Sequence, residues 1–376
     1  MSFTQIYCTL LKVNQQQFLC GGRTKPLLAK IEKFFQKLEN HNVTMIFFSD
    51  GPVQKSKIPE YIRRQNDRYE RVIDIFDDIE NKKHINNIVE RPSGIPTIPY
   101  STEPLKKCMK KYGQYITSIY DECDRELAKY ATENNAMAVF GQDSDFLIFS
   151  GDWSYWSAKH LNMLHLTTKE YSRIALRSHL ALSTEQMFLL ATLGLNDFFS
   201  YDDLKFFHYQ MFNKNKHQKF PCLANFVRSI KNIATNLNDN EILQIISNCM
   251  GTNPENHIDT FKQSIRFYDV KRIEPAPAFD IYKENLKESA FGMLTDIDTT
   301  ISIGYADLRR QDCTRVPEVV LSLYKRLAGV ILQHKNDSSI TRTFYGKWSH
   351  AVPFNAITVH PEYPNGELLF IIIKIK

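Results

Sequence analysis

Between Tyr120 and Ser150 the chain reads YDECDRELAKYATENNAMAVFGQDSDFLIFS. A helix, a short apolar strand and an acidic turn follow one another there. Cys123, Leu127 and Ala131 recur every four residues on one apolar helix face, and the first turn carries Asp121, Glu122 and Asp124. Ala136 to Phe140 then form an unbroken apolar run of strand length, as expected of a parallel strand covered on both faces. Where that strand ends, Gly141-Gln142 leads into Asp143-Ser144-Asp145. In open α/β sheets the carboxyl ends of strands are where sites are built.

Carboxylates converging at such a point repel one another and hold their protons unless a cation sits among them. A hard cation such as Mg2+ takes oxygen ligands and suits Asp and Glu without His or Cys. The same residues also have a plainer reading: acids favour the positive start of a helix, and Asp-Ser-Asp makes a turn or a cap.

The same alternation precedes this stretch. Thr24 and Pro26 open a helix whose Leu27, Leu28, Ile31, Phe34, Phe35 and Leu38 keep helical spacing. Val43 to Phe48 is a second buried strand, ending in Ser49-Asp50-Gly51-Pro52. Lys55 to Arg71 is a basic segment with Tyr61 and Tyr69 between its charges. It suits an anionic backbone drawn toward an acidic site, and equally a solvated mixed-charge face. Pattern is lost from Glu80 to Asn87, and Pro92, Pro96, Pro99 and Pro104 mark an irregular loop expected to be mobile. Leu105, Cys108, Met109 and Tyr112 line a short helix whose other face is Lys106, Lys107, Lys110 and Lys111. Gly113 follows as its natural end, then a strand from Tyr115 to Ile119. Such alternation predicts right-handed crossovers and a mainly parallel sheet with helices on both faces.

Trp153, Tyr155 and Trp156 form an aromatic cluster that packs a domain edge or stacks bases. Leu166 to Tyr171 begins one helix, and Ser183 with Gln186 has capping-box spacing for another, which ends in Leu193-Gly194-Leu195-Asn196-Asp197. Residues 200 to 270 read as helical, Phe220–Ala234 and Asn240–Met250 most clearly, and Ile273 to Ala278 as a linker. At 376 residues the chain exceeds one typical domain. The expected division is 1–150 as an α/β core, 151–270 as a helical region and 271–376 as a linker with a small α+β extension. A net charge of +5 permits an anionic partner without demanding one. The seven cysteines form no CxxC pair, and no apolar run approaches membrane-helix length, so a nuclear or cytoplasmic protein without membrane contact is expected.

Taken jointly, the acids resemble a known pattern. Asp50-Gly after a strand, Glu122 and Asp124 opening a helix, Asp143-x-Asp145 after the next strand and Asp197 in LGLND together resemble the PIN-like, XPG/flap-endonuclease superfamily. Cys20-Gly21-Gly22, KxxEYIRRQ, DSDFLIF and YWSAKHLNMLHLTTKEY look most like its Asteroid and constitutive-coactivator-of-PPAR-gamma-like group. The resemblance covers roughly residues 5 to 215. It implies a PIN-like fold in which Asp50, Glu122, Asp124, Asp143, Asp145 and Asp197 bind two Mg2+ or Mn2+ ions. Lys57 and Arg64 would touch the scissile phosphate, and Lys55, Lys57, Arg63, Arg64 and Arg68 would hold DNA or RNA. A metal-dependent nuclease follows, or a catalytically inactive scaffold that holds RNA or a protein partner. The chain also departs from the pattern. It begins just after the strand whose Asp supports the metals, so that first strand is missing and a truncated chain is expected. Phe198 to Tyr209 lacks the glycine-rich hairpin that grips duplex DNA, and LGLND is shuffled relative to LLGND.

Overall fold

The computed structural model describes residues 24–90, 102–119, 121–199, 201–212, 219–230, 238–249, 254–272, 288–295, 298–301, 306–310, 316–333, 337 and 339–364. By packing, the chain divides into two units. One, the inserted unit, takes the described residues within Cys123–Pro277; the other, the two-segment unit, joins those within Ile6–Glu122 with those within Ala278–Lys376.

The first segment opens with α1 (Thr24–Asn40), whose Ile31, Phe34 and Phe35 are buried as the apolar spacing predicts. β1 (Ile46–Ser49) follows, then a single 3-10 turn at Lys55–Lys57 and the long helix α2 (Ile58–Glu80), with Pro59 at its start. α2 runs on past Arg71 because Val72, Ile73 and Ile75 continue its buried face. The short α3 (Ile85–Val89) occupies part of the stretch expected to lack pattern. Of the expected proline-rich loop, residues 91–101 lie outside the described residues, and Pro104 stands in the first turn of a helix rather than in a loop. α4 (Thr102–Tyr112) packs on α1, and β2 (Gln114–Thr117) pairs with β1 in parallel, Ile46 opposite Gln114 and Ser49 opposite Thr117. Gly113 joins α4 to β2 where a Cβ would overlap the Met45 carbonyl, so the bend requires glycine.

The inserted unit begins with α5 (Cys123–Glu133), burying Cys123, Leu127 and Ala131 as expected. β3 (Ala138–Gly141) corrects the expectation of a strand covered on both faces. Val139 and Gly141 are buried while Ala138 and Phe140 are half-buried, and Met137, just before it, is 63% exposed. After a 3-10 turn at Ser144–Leu147 come β4 (Ser154–Ser157), parallel to β3, and β5 (Glu170–Tyr171), antiparallel to β4. β5 stands where a helix start was expected. Tyr171 stacks on Tyr155 across the strands, ring centroids 5.9 Å apart, and the Trp156 indole donates to Glu170 at 2.9 Å; both contacts favour a strand there. Helices α6 (Arg173–Leu180), α7 (Thr184–Leu193), α8 (Tyr201–Phe212), α9 (Lys219–Ser229), α10 (Asp239–Cys249) and α11 (Ile258–Phe267) complete the unit. α7 carries the predicted capping box between Ser183 and Gln186. Met187 to Leu190 and Leu193 are buried on every side, so α7 is the helix that α9 and α11 pack against. Trp153 and Tyr155 are 4% and 3% exposed, which makes them core side chains rather than a stacking platform.

The second segment adds α12 (Glu288–Thr295), β6 (Thr299–Thr300), α13 (Val316–Ile331), β7 (Arg342–Gly346) and β8 (Asn355–Val359). Met293, Ile301, Ala328, Phe344 and Val359 form its core. Two further seams bind it to α2: Tyr69 and Ile73 pack with Ala306 and Leu308, and the Phe354 amide donates to the Asn66 side chain at 2.7 Å. The expected linker from Ile273 lies outside the described residues.

The fold class is therefore mixed α/β. The strands described form three small sheets, β1-β2, β3-β4-β5 and β6-β7-β8, in which β1-β2, β3-β4 and β6-β7 pair in parallel. Each strand has five residues or fewer, and β7 and β8 are joined by a connection short enough only for an antiparallel partner. Among the described residues no helix is long and apolar enough to cross a membrane.

Candidate functional site

The six carboxylates expected at one site divide between the units, Asp50 and Glu122 in one and Asp124, Asp143, Asp145 and Asp197 in the other. In the two-segment unit Asp50 is exposed just beyond β1. Its neighbour Gly51 lies so close to the Ser118 carbonyl that a Cβ would overlap it, which seats the β1 turn against the end of β2. Lys57, at the start of α2, reaches Glu122 with its ammonium 2.6 Å from Oε2; these side chains are 30% and 15% exposed. A side chain expected to touch phosphate and one expected to bind metal thus neutralise each other.

The basic face of α2 is spent in the same way. The Arg63 guanidinium holds Glu60 through two hydrogen bonds of 2.8 and 2.7 Å and Asp67 through a third of 2.9 Å. Arg64 donates to Glu60 at 2.6 Å. The hydrogen bond from Arg63, aided by Arg64, holds the Glu60 carboxyl down to about 2. Spacings of three and four residues put these groups on one helix face, so the local charge closes on itself. Of the five basic side chains expected at nucleic acid, Lys57, Arg63 and Arg64 are in ion pairs, Lys55 is exposed and Arg68 is half-buried.

In the inserted unit Asp143 caps the 3-10 turn, accepting the Asp145 amide at 3.1 Å, as its plainer reading required. Asp145 sits deeper. Burial first, then the charges of Asp143, Asp124 and Asp197, push its carboxyl up to about 7. Those four acids are therefore electrostatic neighbours, as the resemblance implied. Beneath Asp145 runs a polar chain that sequence reasoning missed. The Tyr268 hydroxyl donates to Asp145 at 3.4 Å, and the Asn196 amide reaches Tyr268 at 3.4 Å and the Ser264 hydroxyl at 2.7 Å. Thr192 and Ser264 meet at 2.7 Å, and the Asn196 carbonyl accepts from the Phe198 and Phe199 amides. In LGLND, then, it is Asn196 that is built into the interior, while Asp197 is exposed. Tyr268 is 1% exposed, and burial pushes its phenol well above the ordinary range.

Among the described residues no three His, Cys, Asp or Glu side chains are arranged to hold a metal ion. Glu122 is engaged by an ammonium, and Asp143 and Asp145 accept hydrogen bonds from the protein itself. The free thiols described, Cys108, Cys123, Cys222 and Cys249, are dispersed, three of them buried, and add no ligand set.

Comparison with known proteins bears on the same region. Residues 180–271, from the end of α6 through α11, match the FAM120A-like domain. The constitutive coactivator of peroxisome proliferator-activated receptor gamma of Bos taurus is 28% identical over 184 residues, 48% of this chain and 25% of its own. The Homo sapiens protein of that name is 27% identical over 184 residues, 48% of this chain and 20% of its own. The constitutive coactivator of PPAR-gamma-like protein 1 homolog of Xenopus tropicalis is 19% identical over 272 residues, covering 67% of this chain and 25% of that one. The chain thus spans about a quarter of the length of the curated relatives it matches. Within that span it is similar to the constitutive coactivators of PPAR-gamma, which is the narrower of the two groups that its motifs resemble.

Proposed function

We propose that this chain is part of a catalytically inactive scaffold, holding a nucleic-acid or protein partner rather than cleaving phosphodiesters. The observation that carries this reading is the Lys57–Glu122 ion pair at 2.6 Å. A two-metal nuclease needs that carboxylate open to a cation and that ammonium open to phosphate, and here each satisfies the other. The likeness to coactivators supports the same reading, since a coactivator works by binding.

The test is calorimetric titration of Mn2+ into the purified protein and its Asp143→Asn/Asp145→Asn variant, beside an RNA-binding assay in EDTA. The scaffold reading expects no saturable Mn2+ binding that depends on these aspartates, and partner binding that persists in EDTA. Saturable Mn2+ binding lost in the variant, together with Mn2+-dependent cleavage, would overturn it in favour of the nuclease.

A further inference from the structure

α13 is apolar over more of its surface than its own core requires. Its inner arc, Val320, Leu321, Tyr324, Ala328 and Ile331, packs with Met293, Ile301, Phe344 and Val359. The polar side chains Glu318, Ser322, Lys325 and Arg326 share a second arc, because steps of three and four residues keep one helix face. On the arc between these two stand Val319, Leu323 and Leu327, which are 67%, 61% and 38% exposed. Val316 and Val330, both half-buried, continue the row at either end. From Val316 to Val330 the row is about 21 Å long. Single apolar residues scattered over a surface are ordinary, whereas an apolar row on a helix that is also apolar toward its core is the pattern of a helix covered on both sides.

We propose that this row is a self-association surface, on which α13 of a second copy of this chain lies antiparallel across a two-fold axis at Leu323. Two observations select a second copy over an unrelated partner. A two-fold interface needs a patch that maps onto itself when its middle is held fixed. With Leu323 on the axis, Val319 meets Leu327 of the second copy and Val316 meets Val330, so each member of the row faces an apolar side chain. The charges agree as well. In an antiparallel helix pair the same flank of each helix meets its counterpart, which sets Glu318 opposite Arg326 of the second copy. Both side chains are exposed. Arg326 holds Glu362 through Nε at 3.3 Å, and a guanidinium has donors enough for both carboxylates. A single row on each copy falls short of the ~800 Å2 per partner of a stable interface, so the dimer is reversible, with Kd on the order of 10 µM. The proposal stands apart from the scaffold reading, since α13 lies outside residues 180–271 and neither depends on the other.

The experiment is sedimentation velocity on the purified chain from ~1 to ~200 µM, a range that brackets that Kd and should carry the average mass from monomer toward dimer. Leu323→Glu removes the central contact from both copies and sets two like charges against each other on the axis. The dimer should then weaken on the order of a hundred-fold. Because Leu323 is exposed in the single chain, the variant's urea midpoint under dilute, monomeric conditions should match the wild type's. Leu164→Glu, at a leucine 70% exposed in the inserted unit, should dimerise as the wild type does. Cross-linking with copper phenanthroline reads the orientation, with the wild-type chain setting the background from its own thiols. Leu323→Cys should cross-link, because the two thiols meet at the axis. Val319→Cys should not, because it faces Leu327 of the second copy, and Val319→Cys/Leu327→Cys should. Cross-linking by both single variants would overturn the antiparallel pairing. A wild type that stays monomeric at the highest concentration, or a dimer that Leu323→Glu leaves unchanged, would overturn the proposal.

Discussion

Replacing Asp145 with Asn isolates the energetic consequence of burying that carboxyl beside Asp143, Asp124 and Asp197. In the folded protein the Asp145 carboxyl keeps its proton up to about 7, whereas its ordinary value is 3.8. Folding therefore takes up a proton between those values, and stability falls as pH rises through that window. Above about pH 7 the whole penalty is present. The full difference corresponds to about 4 kcal/mol, and solvent reaching the half-buried side chain roughly halves it. Asparagine has nearly the same shape, carries no charge and can still accept from Tyr268. Asp145→Asn should therefore stabilise the protein by about 2 kcal/mol at pH 8 and by little at pH 4. Urea unfolding in EDTA, followed by tryptophan emission, reads this out, because Trp153 and Trp156 both lie in the inserted unit. A stability change independent of pH, or a loss at pH 8, would refute the reasoning. Asp143→Asn should shift the same transition of Asp145 toward lower pH.

Two other perturbations follow from the geometry. Lys57→Met leaves the largely buried Glu122 without its ammonium and should cost about 2 kcal/mol, most of it recovered in Lys57→Met/Glu122→Gln; thermal unfolding of the four-member cycle measures the coupling. Ser183→Ala removes the α7 capping box and should lower stability by about 1 kcal/mol in the same tryptophan-detected urea titration.

What the sequence made legible was local chemistry. The stripe of α1, the capping box of α7 and the glycine that ends α4 are each written in a few adjacent residues, and each forms as read. The closure of Arg63 and Arg64 on Glu60 was also within reach, since spacings of three and four state it directly. Tertiary pairing was not legible. Lys169-Glu170-Tyr171 carries helix-start chemistry, but Tyr155 and Trp156 claim Glu170 and Tyr171 for a strand. At the carboxylates, the proximity of Asp124, Asp143 and Asp145 was readable and that of Asp197 came only through the resemblance, whereas Tyr268, which braces Asp145, stands 123 residues away with no motif around it. Nor could the spacing of Lys57 and Glu122 show that the two would satisfy each other.

The union of the first and last segments in one unit sets an order of events during synthesis. α2 emerges early with an apolar face on Tyr69 and Ile73 whose cover, Ala306 and Leu308, is far downstream. Asn66 and the Phe354 amide that it holds are 288 residues apart. At roughly 5 to 20 residues per second, α2 waits tens of seconds for that partner while the inserted unit, whose described residues all lie between the two segments, is free to fold first. The late step is then closure of one very long loop. Its entropic cost grows only slowly with length, but the interval leaves a greasy helix open to chaperones and to neighbouring nascent chains. For this chain the hazard lies in timing, and slower translation after Pro277 would lengthen it.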